Sequence, residues 1–234
     1  MKFVRGGLQM TTIRDCIAPD RNPKVPSIKL PEGSIDTHVH IFESQYPLFE
    51  GRGYNPPDST LDDLKHLHSQ LGVSRVVYTQ PSPYGVDNSA ILKGMKVMND
   101  ETPGRARGVC AIKMDVSDDF LEDLDKQGIK GVRLNMDNIG GMPIGLDEIP
   151  TLEARIKDLG WHVEYLFPGK DIVELAPIFK KSSVPISIAH FAYQPATNGI
   201  NSEGFKTLLD LVRDGNTWIK ISGANRVSET DLPP

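Results

Sequence analysis

Two histidines placed two residues apart are the strongest chemical signal in the sequence. The stretch from Ser34 to Ile41 alternates apolar and polar residues over the length of a strand. His38 and His40 should therefore project from one face of that strand, where it runs into a loop. Two imidazoles in that place can form half of a metal site or a general acid/base pair. They can equally be ordinary hydrogen-bonded residues, and the pair alone leaves these roles open.

Further polar side chains stand at the ends of later apolar stretches. Arg133 and Asn135 share one face of a strand-like run, and Glu164 takes an inward position in the next run. His190 ends a third run, and Arg226 follows a fourth. In a barrel of parallel strands the active site lies at the carboxyl ends of the strands, so these residues should gather near the two histidines.

A repeated pattern of strand, loop and amphipathic helix must position these side chains. The sequence predicts seven such units, with strands at 34–41, 73–80, 107–112, 129–135, 161–167, 184–190 and 218–222. The first helix is predicted to begin after an N-cap signal at Asp58 to Thr60 and to end at Gly72. Buried parallel strands with helices outside indicate an α/β fold of the (β/α)8 TIM-barrel type.

Composition limits the classes of function. The 234 residues are 38% hydrophobic and 24% charged, which suits one globular core. The net charge of -5 has no strong block of either sign, so neither nucleic acid nor an anionic membrane surface is an expected partner. Cys16 and Cys110 are too few and too far apart for a disulfide framework, and we expect both to be free thiols.

Residues 1–33 are expected to form an extended arm ahead of a barrel that spans residues 34–234. Four X-Pro pairs between Ala18 and Pro31 oppose a helix or a central strand there. The arm carries neither a signal-peptide core nor a membrane span, so a cytoplasmic location is the default expectation. Met10 is an alternative start to Met1, and a homo-oligomer is compatible with the sequence.

Four motifs together resemble the amidohydrolase-related branch of the amidohydrolase superfamily. They are Asp36-Thr37-His38-Val39-His40, Gly131-Val132-Arg133-Leu134-Asn135, Gly160-Trp161-His162-Val163-Glu164 and Ala189-His190. Their order and spacing, from about Gly33 to Pro234, are closest to those of the lactone-processing members. In that family the eighth strand ends in a catalytic aspartate. We expect this eighth unit to be missing, because Asp231 has no strand pattern before it and does not replace that aspartate.

The resemblance also implies roles for individual residues. The candidate catalytic residues, which correspond to the metal or acid/base histidines of the family, are His38, His40 and His190. The candidate substrate-binding residues, which include arginines suited to carboxylates, are Gln80, Ser82, Arg133, Asn135, Tyr193 and Arg226. Tyr193 stands where members acting on a dicarboxylate have an arginine, which implies a substrate with fewer carboxylates.

The cofactor implied by the resemblance is one divalent metal, with zinc as the first choice, or none. The ligands of such a metal would be His38, His40, His190 and Glu164. A mononuclear or metal-free site is favoured, because no bridging lysine is visible on the fourth or fifth predicted strand.

The implied function is opening of the lactone ring of a small carboxylate-bearing substrate by activated water. Such a hydrolase would serve the catabolism of aromatic compounds or sugar acids, with a small carboxylate or lactone as its partner. One alternative is a lactone isomerase or a metal-dependent decarboxylase on the same fold. Another is an inactive truncated fragment or a binding protein, because a seven-strand barrel leaves two sheet edges unpaired.

Several candidates also have ordinary structural interpretations. Arg133 can be paired with a neighbouring acid inside the barrel mouth, and Glu164 can be held by His162 or by Arg133. Arg226 can simply be solvated. Three further histidines are expected to be surface or packing residues: His66, His68 and His162.

Overall fold

The computed structural model describes residues 13–136 and 143–228. The strands are β1 (Arg14–Asp15), β2 (Ile35–Val39), β3 (Tyr54–Asn55), β4 (Arg75–Thr79), β5 (Ala106–Cys110), β6 (Ile129–Asn135), β7 (His162–Leu166), β8 (Ile186–Ile188) and β9 (Thr217–Ile219). The α-helices are α1 (Leu61–Leu71), α2 (Ser89–Glu101), α3 (Asp118–Lys126), α4 (Ile149–Ile156), α5 (Ile172–Phe179), α6 (Glu203–Arg213) and α7 (Ala224–Val227). The predicted loop at Gly140-Gly141, the alternative start Met10 and Asp231 lie outside the described residues.

Seven parallel strands form the main sheet in the order β2-β4-β5-β6-β7-β8-β9. Each strand is followed by a helix before the next begins, so the chain advances by one position in the sheet at each step. The sheet is curled. The two edge strands come close enough for the Lys220 ammonium, which follows β9, to donate to the Thr37 carbonyl of β2 over 3.1 Å. The predicted α/β barrel type with seven of eight units is therefore confirmed for the described residues.

Helix α1 illustrates how local sequence sets the element boundaries. The Thr60 hydroxyl accepts a hydrogen bond from the Asp63 backbone, and the Asp63 carboxylate accepts one from the Thr60 backbone. This capping box satisfies two amide groups that the first helical turn leaves without partners. Gly72 ends the helix with a positive φ of 76°, which glycine adopts without steric cost. The predicted helix from Leu61 to Gly72 is thus confirmed.

The hydrophobic core lies between the sheet and the helices around it. Strand side chains such as Tyr78 and Val163 pack there with helix side chains such as Met95 and Leu152, and each is at most 1% exposed. In the described part of the chain no helix is both long and apolar enough to cross a membrane. Cys110 is buried, and Cys16 and Cys110 are free thiols, as the sequence predicts.

The arm before β2 differs from the expectation in one respect. It contains a short strand, because β1 pairs in parallel with β3 and Cys16 donates its amide to the Asn55 carbonyl at 3.0 Å. The Asn55 side chain strengthens this contact by donating to the Asp15 carboxylate at 2.9 Å. Strand β3 lies in the loop after β2, which the Gly/Pro content of that loop concealed.

A β-bulge in β2 determines the direction in which its histidine side chain points. The register with β4 runs from Asp36↔Val76 to Val39↔Tyr78, so β2 has one residue more than β4 in this interval. Such a bulge changes which side of the sheet the following residues face. Asp36 consequently meets His68 of α1, at 3.2 Å between carboxylate and imidazole, whereas His38 faces the interior.

Candidate active site

Three imidazoles meet at the carboxyl end of the sheet. The ring centroid of His38 lies 4.9 Å from that of His40 and 4.9 Å from that of His190. His38 lies on β2, His40 directly follows this strand, and His190 follows β8 on the other side of the curled sheet. The sequence predicted this meeting from strand order alone.

His40 is anchored by the neighbouring strand. Its Nδ1–H donates to the carbonyl oxygen of Thr79, at the end of β4, over 2.7 Å. A neutral His40 therefore has its lone pair on Nε2. Burial and the nearby Arg133 guanidinium lower the pKa of His40 to about 3, so the ring is neutral at pH 7.

His190 opens a left-handed turn. The backbone φ values of the four residues from His190 to Tyr193 lie between 48° and 53°, and none of the four is glycine. Left-handed backbone costs such residues roughly 1–2 kcal/mol each and is concentrated at functional sites. His190 Nδ1 lies 3.0 Å from the Ser222 hydroxyl. Burial and the Arg226 guanidinium lower the pKa of His190 to about 4.

A charged cluster lies against His38. Glu164 on β7 is completely buried and is paired with Arg133 on β6, at 3.5 Å between Nε and Oε1. The Lys220 ammonium donates hydrogen bonds to the Glu164 carboxylate and, at 2.9 Å, to His38 Nδ1. Although burial raises it, the pKa of Glu164 stays below its ordinary value because these two cations face it. Burial, His40 and Lys220 hold the pKa of His38 far below its usual range.

Lys220 is the functional candidate that sequence reasoning missed. The sequence shows no bridging lysine on the fourth or fifth predicted strand, whereas Lys220 directly follows β9. The sequence feature that could have identified Lys220 is the alternation of inward and outward residues along the last strand. Glu164 pairs in register with Ser187, and Ser187 pairs with Trp218. Trp218 and Lys220, two residues later, therefore lie on the same inward side of the sheet as the Glu164 carboxylate.

Gln80 holds Arg133 and the loop after β4 in place through hydrogen bonds. Its backbone carbonyl accepts a hydrogen bond from Arg133 Nη1 at 2.9 Å. Its side-chain amide donates to the carbonyls of Gly85 and Asp87, which fixes the loop after β4. The side chain is 0% exposed, and its Oε1 has no hydrogen-bond partner within the described residues. This arrangement braces the arginine and the loop, and a direct substrate contact of Gln80 stays a prediction.

Tyr54 joins the site through Ser82. Ser82 is buried, and its side chain lies close enough to the Tyr54 hydroxyl to lower the pKa of that group. Burial raises the pKa of Tyr54, while the guanidinium groups of Arg133 and Arg226 act in the opposite direction. Tyr54 was not predicted from the sequence, because it stands in a Gly/Pro-rich loop without a periodic pattern. It is held there by the pairing of β3 with β1.

Tyr193 and Arg226 form a pair at the mouth of the site. Arg226 Nη1 donates to the Tyr193 hydroxyl at 3.2 Å, and the guanidinium carbon lies 5.9 Å from the centre of the tyrosine ring. Arg226 is exposed, whereas Asn135, at the end of β6, is buried. The structure therefore gathers the predicted residues at one end of the sheet, and their individual roles stay predictions.

The predicted metal ligands do not fit a metal site in this arrangement. Lys220 donates to Nδ1 of His38, so a neutral His38 keeps its hydrogen on Nε2 and offers no lone pair to a metal. Glu164 is already neutralised by Lys220 and Arg133. Within residues 13–136 and 143–228, no group of three or more His, Cys, Asp or Glu side chains has the geometry to hold a metal ion.

The other histidines have structural surroundings. His162 donates from Nδ1 to the Lys130 carbonyl at 2.8 Å, at the opposite end of β7 from the site. His68 is buried against Asp36, and His66 is exposed on α1.

Comparisons with known proteins agree with this geometry. The chain is 34% identical to 2-pyrone-4,6-dicarboxylate hydrolase of Comamonas testosteroni, a match that covers 89% of this chain and 68% of the relative. It is 32% identical to 4-sulfomuconolactone hydrolase of Hydrogenophaga intermedia, over 91% of this chain and 70% of the relative. It is 27% identical to D-galactarolactone isomerase of Agrobacterium fabrum, over 89% and 70% respectively.

The fold comparison leads to the same group. A probable 2-pyrone-4,6-dicarboxylic acid hydrolase of Acinetobacter baumannii, solved with citric acid bound, matches with a TM-score of 0.73 and 29% identity. The match covers 85% of this chain and 73% of that structure. The sequence profile of the amidohydrolase family matches residues 35–234, which include every strand of the main sheet. The chain therefore belongs to the amidohydrolase family.

Proposed function

We propose that the protein is a hydrolase that opens the lactone ring of a small carboxylate-bearing substrate. The observation that carries the proposal is the meeting of three neutral imidazoles with buried and exposed arginines at the carboxyl end of the sheet. Two relatives that are more than 30% identical carry the names of lactone hydrolases, which supports this substrate class.

His38 would stabilise the charge that develops on the lactone carbonyl. Addition of water to this carbon moves negative charge onto the carbonyl oxygen, and fixed hydrogen-bond donors lower the energy of that state. Nε2 of His38 is buried and has no partner within the described residues, so it is free to donate to this oxygen. The Arg133 guanidinium, held against Gln80 and Glu164, adds positive potential beside the imidazoles.

The arginine at the mouth would bind the substrate carboxylate. Arg226 is exposed and is oriented by the Tyr193 hydroxyl, which leaves guanidinium hydrogens for a bidentate carboxylate contact. The bound citric acid in the Acinetobacter baumannii structure shows that a relative of this fold accommodates a carboxylate compound. One exposed arginine suits a substrate with fewer carboxylates than a dicarboxylate.

Activation of water needs a base that Glu164 cannot supply, because Lys220 and Arg133 hold its carboxylate. The family resemblance assigns this base to an aspartate at the end of an eighth strand, and the described residues contain seven strands in the main sheet. The described residues would therefore bind, orient and polarise the substrate, and the removal of a proton from water is assigned to none of them.

The test is ring opening by the protein and by His38→Ala, measured as loss of lactone with 2-pyrone-4,6-dicarboxylate and monocarboxylate lactones as substrates. Loss of one oxyanion donor should lower kcat by about 100-fold. His66→Ala, which changes an exposed histidine of α1, is the matched control and should retain full activity. Equal activity of both variants would refute the assignment.

Catalysis is proposed to proceed without a metal, because two of the four predicted ligands, His38 and Glu164, are already engaged by Lys220. Dialysis against a chelator should leave kcat and KM unchanged, and added zinc should not raise them. Metal content measured on the same samples provides the control. Activity that disappears with the metal and returns with zinc would contradict this part of the proposal.

A lactone isomerase is the second candidate, because one relative carries that name. Identification of the product by NMR separates the two, since isomerisation retains a ring and hydrolysis yields an open hydroxy acid or its keto form. We further propose a cytoplasmic role in the breakdown of aromatic or sugar acids, without nucleic-acid or membrane partners. The moderate net charge of -5 supports the last point.

A further inference from the structure

The lysine after β9 is held in place by its backbone on two sides. Its amide donates to the Ile188 carbonyl of β8 at 2.9 Å, and its carbonyl accepts from the Phe191 amide of the left-handed turn at 3.1 Å. Lys220 is therefore fixed between β8 and the segment that begins with His190. Its side chain then crosses the interior of the curled sheet to reach β2.

Each hydrogen of the Lys220 ammonium has an acceptor. The three acceptors are the Thr37 carbonyl at 3.1 Å, His38 Nδ1 at 2.9 Å and the Glu164 carboxylate. An ammonium group has three donors and no lone pair, so the nitrogen of His38 that it contacts must be the acceptor. The side chain of Lys220 is only 12% exposed, so this contact competes little with solvent.

This contact determines where the remaining hydrogen of His38 resides. A neutral imidazole has one N–H and one lone pair, so a lone pair on Nδ1 places the hydrogen on Nε2. That Nε2 is buried and lacks a hydrogen-bond partner in the described part of the chain. A buried donor without an acceptor is energetically costly, and a ligand oxygen placed there would satisfy it.

We propose that Lys220 is a positioning residue that fixes His38 as the Nε2–H tautomer and thereby turns it into a hydrogen-bond donor for the substrate carbonyl. Lys220 does not touch the substrate in this arrangement. It acts through His38, and Glu164 keeps its ammonium in place. The identity of the receiving oxygen rests on the proposed lactone chemistry, whereas the tautomer is a property of the protein alone.

The experiment reads the His38 ring directly by nitrogen NMR of protein labelled with 15N-histidine, without substrate. His38→Asn identifies the resonances of this ring. In the unaltered protein, Nε2 should carry the hydrogen and Nδ1 should not. In Lys220→Met, both tautomers should be populated, while Arg133 still balances the Glu164 charge.

Kinetics give a second readout on the same variant. Lys220→Met should lower kcat about 10- to 100-fold with KM changed less than about twofold, since a misplaced donor affects the transition state more than substrate binding. Lys220→Arg, which can also donate to Nδ1, should restore much of the activity. Lys130→Met is the matched control, because the Lys130 side chain forms an ion pair with Asp125 at 2.6 Å, away from His38, His40 and His190, and it should change neither readout.

Two results would overturn the proposal: a hydrogen on Nδ1 of His38 in the unaltered protein, or a Lys220→Met variant with an unchanged tautomer. If Lys220→Met alone does not fold, the double variant Lys220→Met/Glu164→Gln, which removes both charges of the pair, replaces it with the same expected results. An expected NMR pattern in a protein that opens no lactone would refute the proposed function and leave this inference standing.

Discussion

At the residue scale, sequence patterns identified side chains with strong intrinsic chemistry and missed those that act through neighbours. His38, His40 and His190 stand out because imidazole at a strand end has few roles, and the structure brings the three together. Lys220 and Tyr54 were not recognised, since a lysine and a tyrosine are common in any surface segment. Their importance depends on contacts with Glu164 and Ser82 that are far apart in sequence, and no local pattern encodes these.

The exposed arginine at the mouth provides a prediction at this scale. Arg226→Ala should raise KM about 10-fold or more with little change in kcat, because a charge-assisted hydrogen bond to a carboxylate contributes roughly 1.5–3 kcal/mol in ground and transition states alike. Arg213→Ala is the control, since Arg213 is exposed on α6 and forms an ion pair with Asp210 at 2.8 Å. Steady-state kinetics of both variants decide the matter, and a fall in kcat at constant KM would argue for a role in the chemical step.

At the element scale, boundaries with strong capping signals were predictable. Helix α1 and strand β6 match their predicted limits, because Thr60, Gly72 and Gly128 mark the turns beside them. Strand β8 is shorter than the predicted run from Val184 to His190. The sequence did not predict helix α7, strand β1 or the bulge in β2, since such short elements arise from tertiary contacts rather than from periodicity.

The left-handed turn is the least predictable element. Nothing in the residues from His190 to Tyr193 favours positive φ, so the surrounding structure must impose it. One constraint is Gln194, whose side chain donates to the Gly169 carbonyl at 2.6 Å. Another is the close approach of Gly169 itself, where an added Cβ would lie 2.1 Å from the Tyr193 carbonyl oxygen.

Gly169→Ala should therefore displace the turn and destabilise the protein. We expect a loss of about 2–3 kcal/mol in the free energy of unfolding, typical of a steric overlap that must be relieved by backbone movement. Gly104→Ala is the control, because Gly104 has a φ of 80° but no atom within 4 Å of the added Cβ, and its cost should be about 1 kcal/mol. Denaturant unfolding measures both, and equal losses would show that the contact with Tyr193 is not restrictive.

At the scale of the whole molecule, the curled sheet explains why residues from opposite ends of the chain share one site. Strands β2 and β9 are the two edges of the seven-strand sheet in the described residues, and Lys220 connects them across the interior. Trp218 shares the inward face of β9 with Lys220 and is 71% exposed. Strand order was predictable from the repeated units, whereas the degree of curling follows from contacts between strands and could not be predicted.

The most direct test of the account is lactone turnover in water enriched in 18O, with product analysis by mass spectrometry and NMR. Hydrolysis by activated water predicts an opened product that carries one 18O atom in its new carboxylate, and loss of this product in His38→Ala but not in His66→Ala. A product that retains a lactone ring without 18O, or no conversion of any lactone by the unaltered protein, would contradict the proposed function.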